Sequence, residues 1–315
     1  MALPTFIVLG AVKAGTTSLY HYLRQHPDIQ MSNWNWPRFF HLDGEYPDFD
    51  TLTARYGHKH RLESERRFSL MFPPRIPRDV KAYESLWPVG RKTQTRGEIS
   101  PTYLYDAAVP ARIRNRLPNV KLIVILRSPA ARAYSHYIMD VRNGWEKITD
   151  FSKALLEEPV EIDDFWWGWR HYVRHGFYVA PLERFLQEFA PEQIKILVYD
   201  DYLASPHKML CDIFRYLNVD TSFEVDMSLR YNQGQVIKAT FLTSLIRSQH
   251  PAKKFFLSAL PEKLILSLRR QIIDRSLVKA PAVSKEIHQQ LTETFRDEVL
   301  CLQDLLNRDL SCWLT

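Results

Sequence analysis

Cysteine is scarce in this chain. There are three among 315 residues, Cys211, Cys301 and Cys312, and no CxxC pair. That number and spacing exclude a disulfide framework and a structural zinc site, and they fit a reducing compartment. Long hydrophobic runs are missing as well. No apolar stretch approaches the roughly 20 residues a membrane span needs. The first strand-like run starts a few residues after Met1, which predicts no secretory leader. There is no internal repeat and no low-complexity tract. An excess of acid is also lacking: the formal net charge is +6. A basic balance suits an anionic ligand, a nucleic acid or an acidic surface, and does not choose among them. The expectation is a cytoplasmic, soluble protein.

What is present is ordinary for a globular chain, 45% hydrophobic and 25% charged, so disorder is excluded for most of it. Strands are predicted over Thr5–Leu9, Thr93–Glu98, Lys121–Leu126 and Gln193–Tyr199. Two of these, "KLIVILR" and "IKILVYD", are nearly continuous apolar runs, as parallel strands covered on both faces require. Helices are predicted over Thr17–Gln25, Pro129–Arg142, Val179–Glu188 and Pro206–Leu217. The alternation gives an α/β class with an open, mainly parallel sheet flanked by helices. Residues 43–90, rich in Pro, Arg and Tyr, read as an irregular insertion, and 231–315 as a mainly helical extension of the same single domain.

Two stretches are built to hold anions. In "LGAVKAGTTS", Gly10 and Gly15 let the turn wrap closely, Lys13 supplies a charge, and Thr16, Thr17 and Ser18 open a helix. Unpaired N–H groups and the helix dipole favour an anion at that end. The pattern departs from GxxxxGK[ST], because the lysine precedes the second glycine. In "KLIVILRSPAARAYSHY", Arg127 stands at the strand end where a magnesium site would want an acid. Ser128 and Pro129 start a helix, on which Arg132 and Ser135 are placed three apart on one face. Arg127 with Ser135 makes a second clamp, suited to a phosphate monoester.

As a pair, these stretches resemble the 5′-phosphosulfate loop and the 3′-phosphate motif of sulfotransferases that use 3′-phosphoadenosine 5′-phosphosulfate. "GEISPTYLYDAAVPARIRNRLPNVK", "HGFYVAPLERFLQEFAPEQIKILVYDDYLASP" and "LQDLLNRDLSCW" resemble the bacterial members and the sulfotransferase domains of heparan sulfate enzymes. The resemblance implies a P-loop-like sulfotransferase fold with that donor as co-substrate and no metal. It also implies that Lys13, Ala14, Gly15, Thr16, Thr17 and Ser18 hold the 5′-phosphosulfate and that Arg127 and Ser135 hold the 3′-phosphate. Lys13 would further stabilise charge on the departing oxygen.

The acceptor must lose a proton. In the family a Lys-Glu pair before Pro-x-Phe-Phe supplies the usual base, but "NWPRFF" puts Asn35 and Trp36 there. Glu98 in "GEISPTYL" becomes the candidate base, with His41 second. Trp34, Trp36, Trp87, Trp145, Trp166, Trp167 and Trp169 could line an acceptor pocket or complete the core. The expected partner is a small-molecule or carbohydrate acceptor, with no nucleic acid. Three alternatives stay open: a kinase-like phosphotransferase using Asp200 and Asp201, a catalytically impaired nucleotide-binding relative, and a binder of acidic polymers.

Overall fold

The computed structural model describes residues 3–43, 77–88, 95–143, 145–158, 170–228, 235–237 and 277–315. Its centre is a five-stranded parallel sheet: β1 (Phe6–Gly10), β2 (Ile29–Met31), β3 (Thr95–Ile99), β4 (Lys121–Leu126) and β5 (Ile194–Val198), in the order β2-β3-β1-β4-β5. Every residue of β1 is buried, and β4 exposes part of Lys121 alone. That is why these segments read as unbroken apolar runs. β3 is the less obvious strand, polar in sequence. It sits close on β1 because Gly97 has no side chain: a Cβ there would lie 2.0 Å from Phe6 Cζ.

Strand β1 is the switch point of the sheet. The chain first builds β2 and β3 on one side of it and then β4 and β5 on the other. Connections leaving the carboxyl ends of β1 and β4 therefore diverge, and a crevice opens between them. Helix α1 (Thr16–Leu23) follows β1. Three short helices lie farther along: α2 (Phe39–Leu42), α3 (Val80–Glu84) and α4 (Val109–Arg116). Then α5 (Pro129–Asn143) follows β4, and α6 (Phe151–Leu156) and α7 (Val179–Glu188) precede β5. After β5 come α8 (Tyr199–Ala204) and α9 (Pro206–Leu217).

The extension is helical in α10 (Lys285–Thr294) and α11 (Arg296–Leu306). It departs from expectation in a short antiparallel pair, β6 (Gln235–Ile237) with β7 (Leu277–Lys279). A three-residue strand is too short to show an alternation that periodicity can detect. Helix α11 is tied to the sheet domain: Glu298 Oε1 accepts from the backbone N–H groups of Tyr178 and Val179 at 2.5 and 2.7 Å, at the open start of α7. Phe295, Val299 and Leu302 are buried, with the Phe295 ring 5.2 Å from that of Phe177. Of the expected irregular insertion, residues 44–76 and 89–90 lie outside the described residues, as do Trp166, Trp167 and Trp169; within 77–88, Trp87 is a core residue.

Candidate active site

A cleft of about 240 Å³ lies at the carboxyl end of the sheet. It is lined by Lys13, Gly15, Thr16, Thr17 and Ser18 from the β1–α1 turn, by Arg127 beyond β4 and by Ser135 on α5. Two motifs more than a hundred residues apart thus share one space.

The first wall is set by the turn. Gly15 stands at the N-cap of α1 with φ +85° and brings no side chain to cap the helix. The left-handed angle favours glycine, and here space demands it too, since a Cβ would come 2.8 Å from the Tyr199 ring. The helix start thus keeps its N–H groups for a ligand. Lys13 is also left-handed, at φ +70°. Burial, then the charges of Arg142 and Arg127, hold its ammonium down at about 8, while Asp140 opposes the fall. Ala14 is fully buried, and its N–H closes the turn on the Ala11 carbonyl at 3.2 Å, so it shapes the loop from behind.

The second wall is set by β4 and α5. Arg127 Nη1 donates to the Lys13 carbonyl at 2.9 Å, and its guanidinium lies 4.9 Å from the Tyr199 ring centroid. Helix α5 buries one face through Ala133, His136, Tyr137 and Asp140, and turns Ser135, Met139 and Arg142 to the cleft. Arg132 is a correction to the sequence reading. It is fully buried, and Nη2 donates to the Tyr172 carbonyl, so it belongs to the packed side of α5 and does not share the face of Ser135. Residues three apart on a helix straddle a stripe edge, and tertiary packing took one to each side.

Neither expected base reaches the cleft. Glu98, at the end of β3, is fully buried, with Oε2 accepting from the Tyr83 hydroxyl at 2.8 Å. Burial pushes its carboxyl up to about 8, against hydrogen bonds that lower it. His41 has both ring nitrogens engaged, by Asp106 Oδ2 and Thr102 Oγ1, each at 2.7 Å. Trp36 does line the cleft, held by its backbone N–H on the Ile99 carbonyl at 3.1 Å and flanked by Arg38 at 5.3 Å from its ring. Asp200 and Asp201 are spent on the C-terminal segment: Asp200 accepts from Trp313 Nε1 at 2.9 Å, and Asp201 takes both ends of the Arg308 fork at 2.6 Å.

Sequence reasoning did not assign Met139, Arg142, Asn143 and Tyr199 to the site, and it left Trp145 between pocket and core; all five line it. The signal for two was present, since Met139 and Arg142 follow Ser135 by four and seven on one helical face. Tyr199 directly follows β5, on the side where such sheets bind ligands.

Comparison with known proteins gives the family and the fold. The model of the sulfotransferase family matches residues 4–223. A heparan sulfate N-deacetylase/N-sulfotransferase of Drosophila melanogaster is 27% identical over 242 residues, 73% of this chain and 21% of that protein. The mouse heparan sulfate glucosamine 3-O-sulfotransferase 5 is 25% identical over 221 residues, 69% of this chain and 54% of the relative. The chain thus spans about a fifth to a half of the curated relatives it matches. In fold it is similar to a sulfotransferase from Alicyclobacillus acidocaldarius, with a TM-score of 0.71 at 24% identity and full coverage of both chains. With more than half of its length matched by the family model, this chain belongs to the sulfotransferase family.

Proposed function

We propose that the chain moves a sulfuryl group from 3′-phosphoadenosine 5′-phosphosulfate to a hydroxyl or amine acceptor, a small molecule or a carbohydrate. The observation that carries this is the joining of the two anion sites: Arg127 is bonded to the backbone of Lys13, and both line one cleft with Ser135. The residues fit such a donor. An uncapped helix start, a lysine and two arginines offer donors and charge to a polyanion. When bound, the donor supplies an activated sulfuryl group on a phosphate leaving group. Thr16, Thr17 and Ser18 hold the 5′ end with the first N–H groups of α1. Lys13 stabilises the negative charge that grows at the leaving oxygen. Arg127 and Ser135 hold the 3′-phosphate and so fix the register. Glu98 serves by position, anchoring the hydroxyl of Tyr83, whose ring stacks on Phe39.

A kinase-like reading finds less support, because Asp200 and Asp201 are engaged in structural bonds. The three cysteines are unpaired, which favours a cytoplasmic enzyme. Among the described residues no helix is long and apolar enough to cross a membrane. The contacts of α11 support a single domain over 1–315.

The test is calorimetry with adenosine 3′,5′-bisphosphate. Metal-independent binding that weakens at least tenfold in both Lys13→Ala and Arg127→Ala is expected. Unchanged affinity in both variants, or binding that requires Mg²⁺ and favours ATP, would overturn the assignment.

A further inference from the structure

We propose that the acceptor of this cleft is a phenol, an aromatic ring carrying an acidic hydroxyl, seated against Trp36 and Trp145; this rests on the sulfuryl-transfer reading above. The ionisable residues lining the cleft, among those described, are Lys13, Arg127, Arg142 and Tyr199, with no carboxylate and no imidazole. The candidate bases nearby are closed off, Asp140 among them: its charge reaches Lys13, but it is buried on the packed face of α5 and accepts from the Tyr172 hydroxyl at 3.2 Å. His41 is held at both nitrogens, and Glu98 lies fully buried under the Tyr83 hydroxyl. A sugar or alkyl hydroxyl ionises far above neutrality and needs a base within hydrogen-bond reach in the transition state. A phenol ionises near pH 10 without help, and neighbouring cations lower that further. A cationic wall therefore does for a phenol what a carboxylate does for a sugar.

Shape argues the same way. The resemblance implies a carboxylate at position 36, and the indole there replaces a charge with a flat apolar face in the cleft. Its Nε1 is buried with no hydrogen-bond partner among the described residues. Trp145, also lining the cleft, stays 46% exposed although indole is among the largest apolar surfaces a chain can bury. Its backbone is fixed, with its N–H on the Asp140 carbonyl at 2.9 Å. Met139 adds a polarisable side chain to the same lining. Two indoles and a thioether in one lining suit an aromatic ring, and the positive charge of Arg142 in the same lining suits its oxygen.

The chemistry balances without a further reagent. The phenol gives its proton to solvent before the step. The phenolate oxygen forms a bond to sulfur, the bond from sulfur to the bridging oxygen breaks, and its electron pair stays on the 5′-phosphate. Lys13 meets the charge on that departing oxygen.

The experiment is a transfer assay with labelled donor, run against phenols whose pKa values span about 7 to 10, an alkyl alcohol and a glucosamine oligosaccharide. Phenols are expected to be sulfated at least tenfold more efficiently than the other two. The rise of kcat/KM with pH should move with the pKa of the phenol used. Trp36→Ala and Trp145→Ala should raise KM for the phenol at least tenfold and leave bisphosphate affinity within twofold, with Trp36→Phe restoring most of the loss. Preferred transfer to the oligosaccharide or alcohol, no transfer to any phenol while the bisphosphate still binds, or an inflection that stays at one pH for every phenol would each overturn the proposal. Loss of bisphosphate binding in the parent chain would instead overturn the donor assignment beneath it.

Discussion

Arg127 and Lys13 are bonded to each other across 114 residues of sequence, guanidinium to backbone carbonyl, at 2.9 Å. The contact ties the left-handed turn at Lys13 to the end of β4, from which the chain leads into α5. A ligand held at one end of the cleft is then held in a fixed relation to the other, which is what in-line transfer requires.

The charge on Lys13 should be visible in the pH dependence of ligand binding. Burial and the neighbouring arginines bring the free ammonium to about 8, so it is charged below that pH and neutral above it. Affinity for adenosine 3′,5′-bisphosphate should be level below pH 7.5 and fall above pH 8, by up to about tenfold per pH unit. Lys13→Arg should remove the fall. Calorimetry from pH 6.5 to 9.5 on both proteins is the measurement, and equal slopes would rule the linkage out.

Substituting Gly15 should damage the loop for two separable reasons. The left-handed backbone costs an alanine about 1–2 kcal/mol, and its Cβ meets Tyr199 at 2.8 Å. Gly15→Ala should lower stability and weaken bisphosphate binding at least tenfold. Adding Tyr199→Ala should restore stability in part and binding hardly at all, because Arg127 loses the ring it rests on. Denaturant melts and calorimetry on the single and double variants separate the two effects.

Glu98 should influence stability more than transfer. Its folded carboxyl is raised to about 8 from an unfolded value near 4.5. The folded state therefore binds the extra proton between those values, and stability falls as pH rises through that window. Glu98→Gln stays neutral and escapes the fall. Relative to the parent, it should gain stability progressively from pH 5 to pH 8 and level off above. Sulfuryl transfer should stay within a few-fold of the parent. A loss of transfer of a hundredfold or more with the fold intact would return Glu98 to the role of base.

At the C-terminal clamp, buried area should outweigh charge. Trp313 is 4% exposed and donates to Asp200, whereas Arg308 and Asp201 are largely exposed. Trp313→Ala should cost about 3–5 kcal/mol, and Arg308→Ala no more than about 1 kcal/mol. Urea titrations of the two variants would show it, and the reverse order would mean the ion pair carries the contact.

The sheet was legible wherever burial leaves a local mark. Lys121–Leu126 is a strand in sequence and in structure because a strand covered on both faces is apolar at every position. Strand β2 was not legible: its three residues carry no period. The β1–α1 turn could be read because its glycine, lysine and hydroxyls are neighbours along the chain, and the Arg127 strand end because the residue that ends a strand also faces its ligand.

The sequence alone therefore determined the sheet class, the two anion motifs and the family they resemble, since each depends on residues a few positions apart. Tertiary structure alone decided which side chains share the cleft. Glu98 and His41 looked available as bases, yet packing gave each a buried partner, while Trp36, Trp145 and Tyr199 were brought together from distant segments. Spacing along a chain fixes local geometry; whether a carboxylate meets solvent or a tyrosine hydroxyl depends on what the rest of the molecule packs against it.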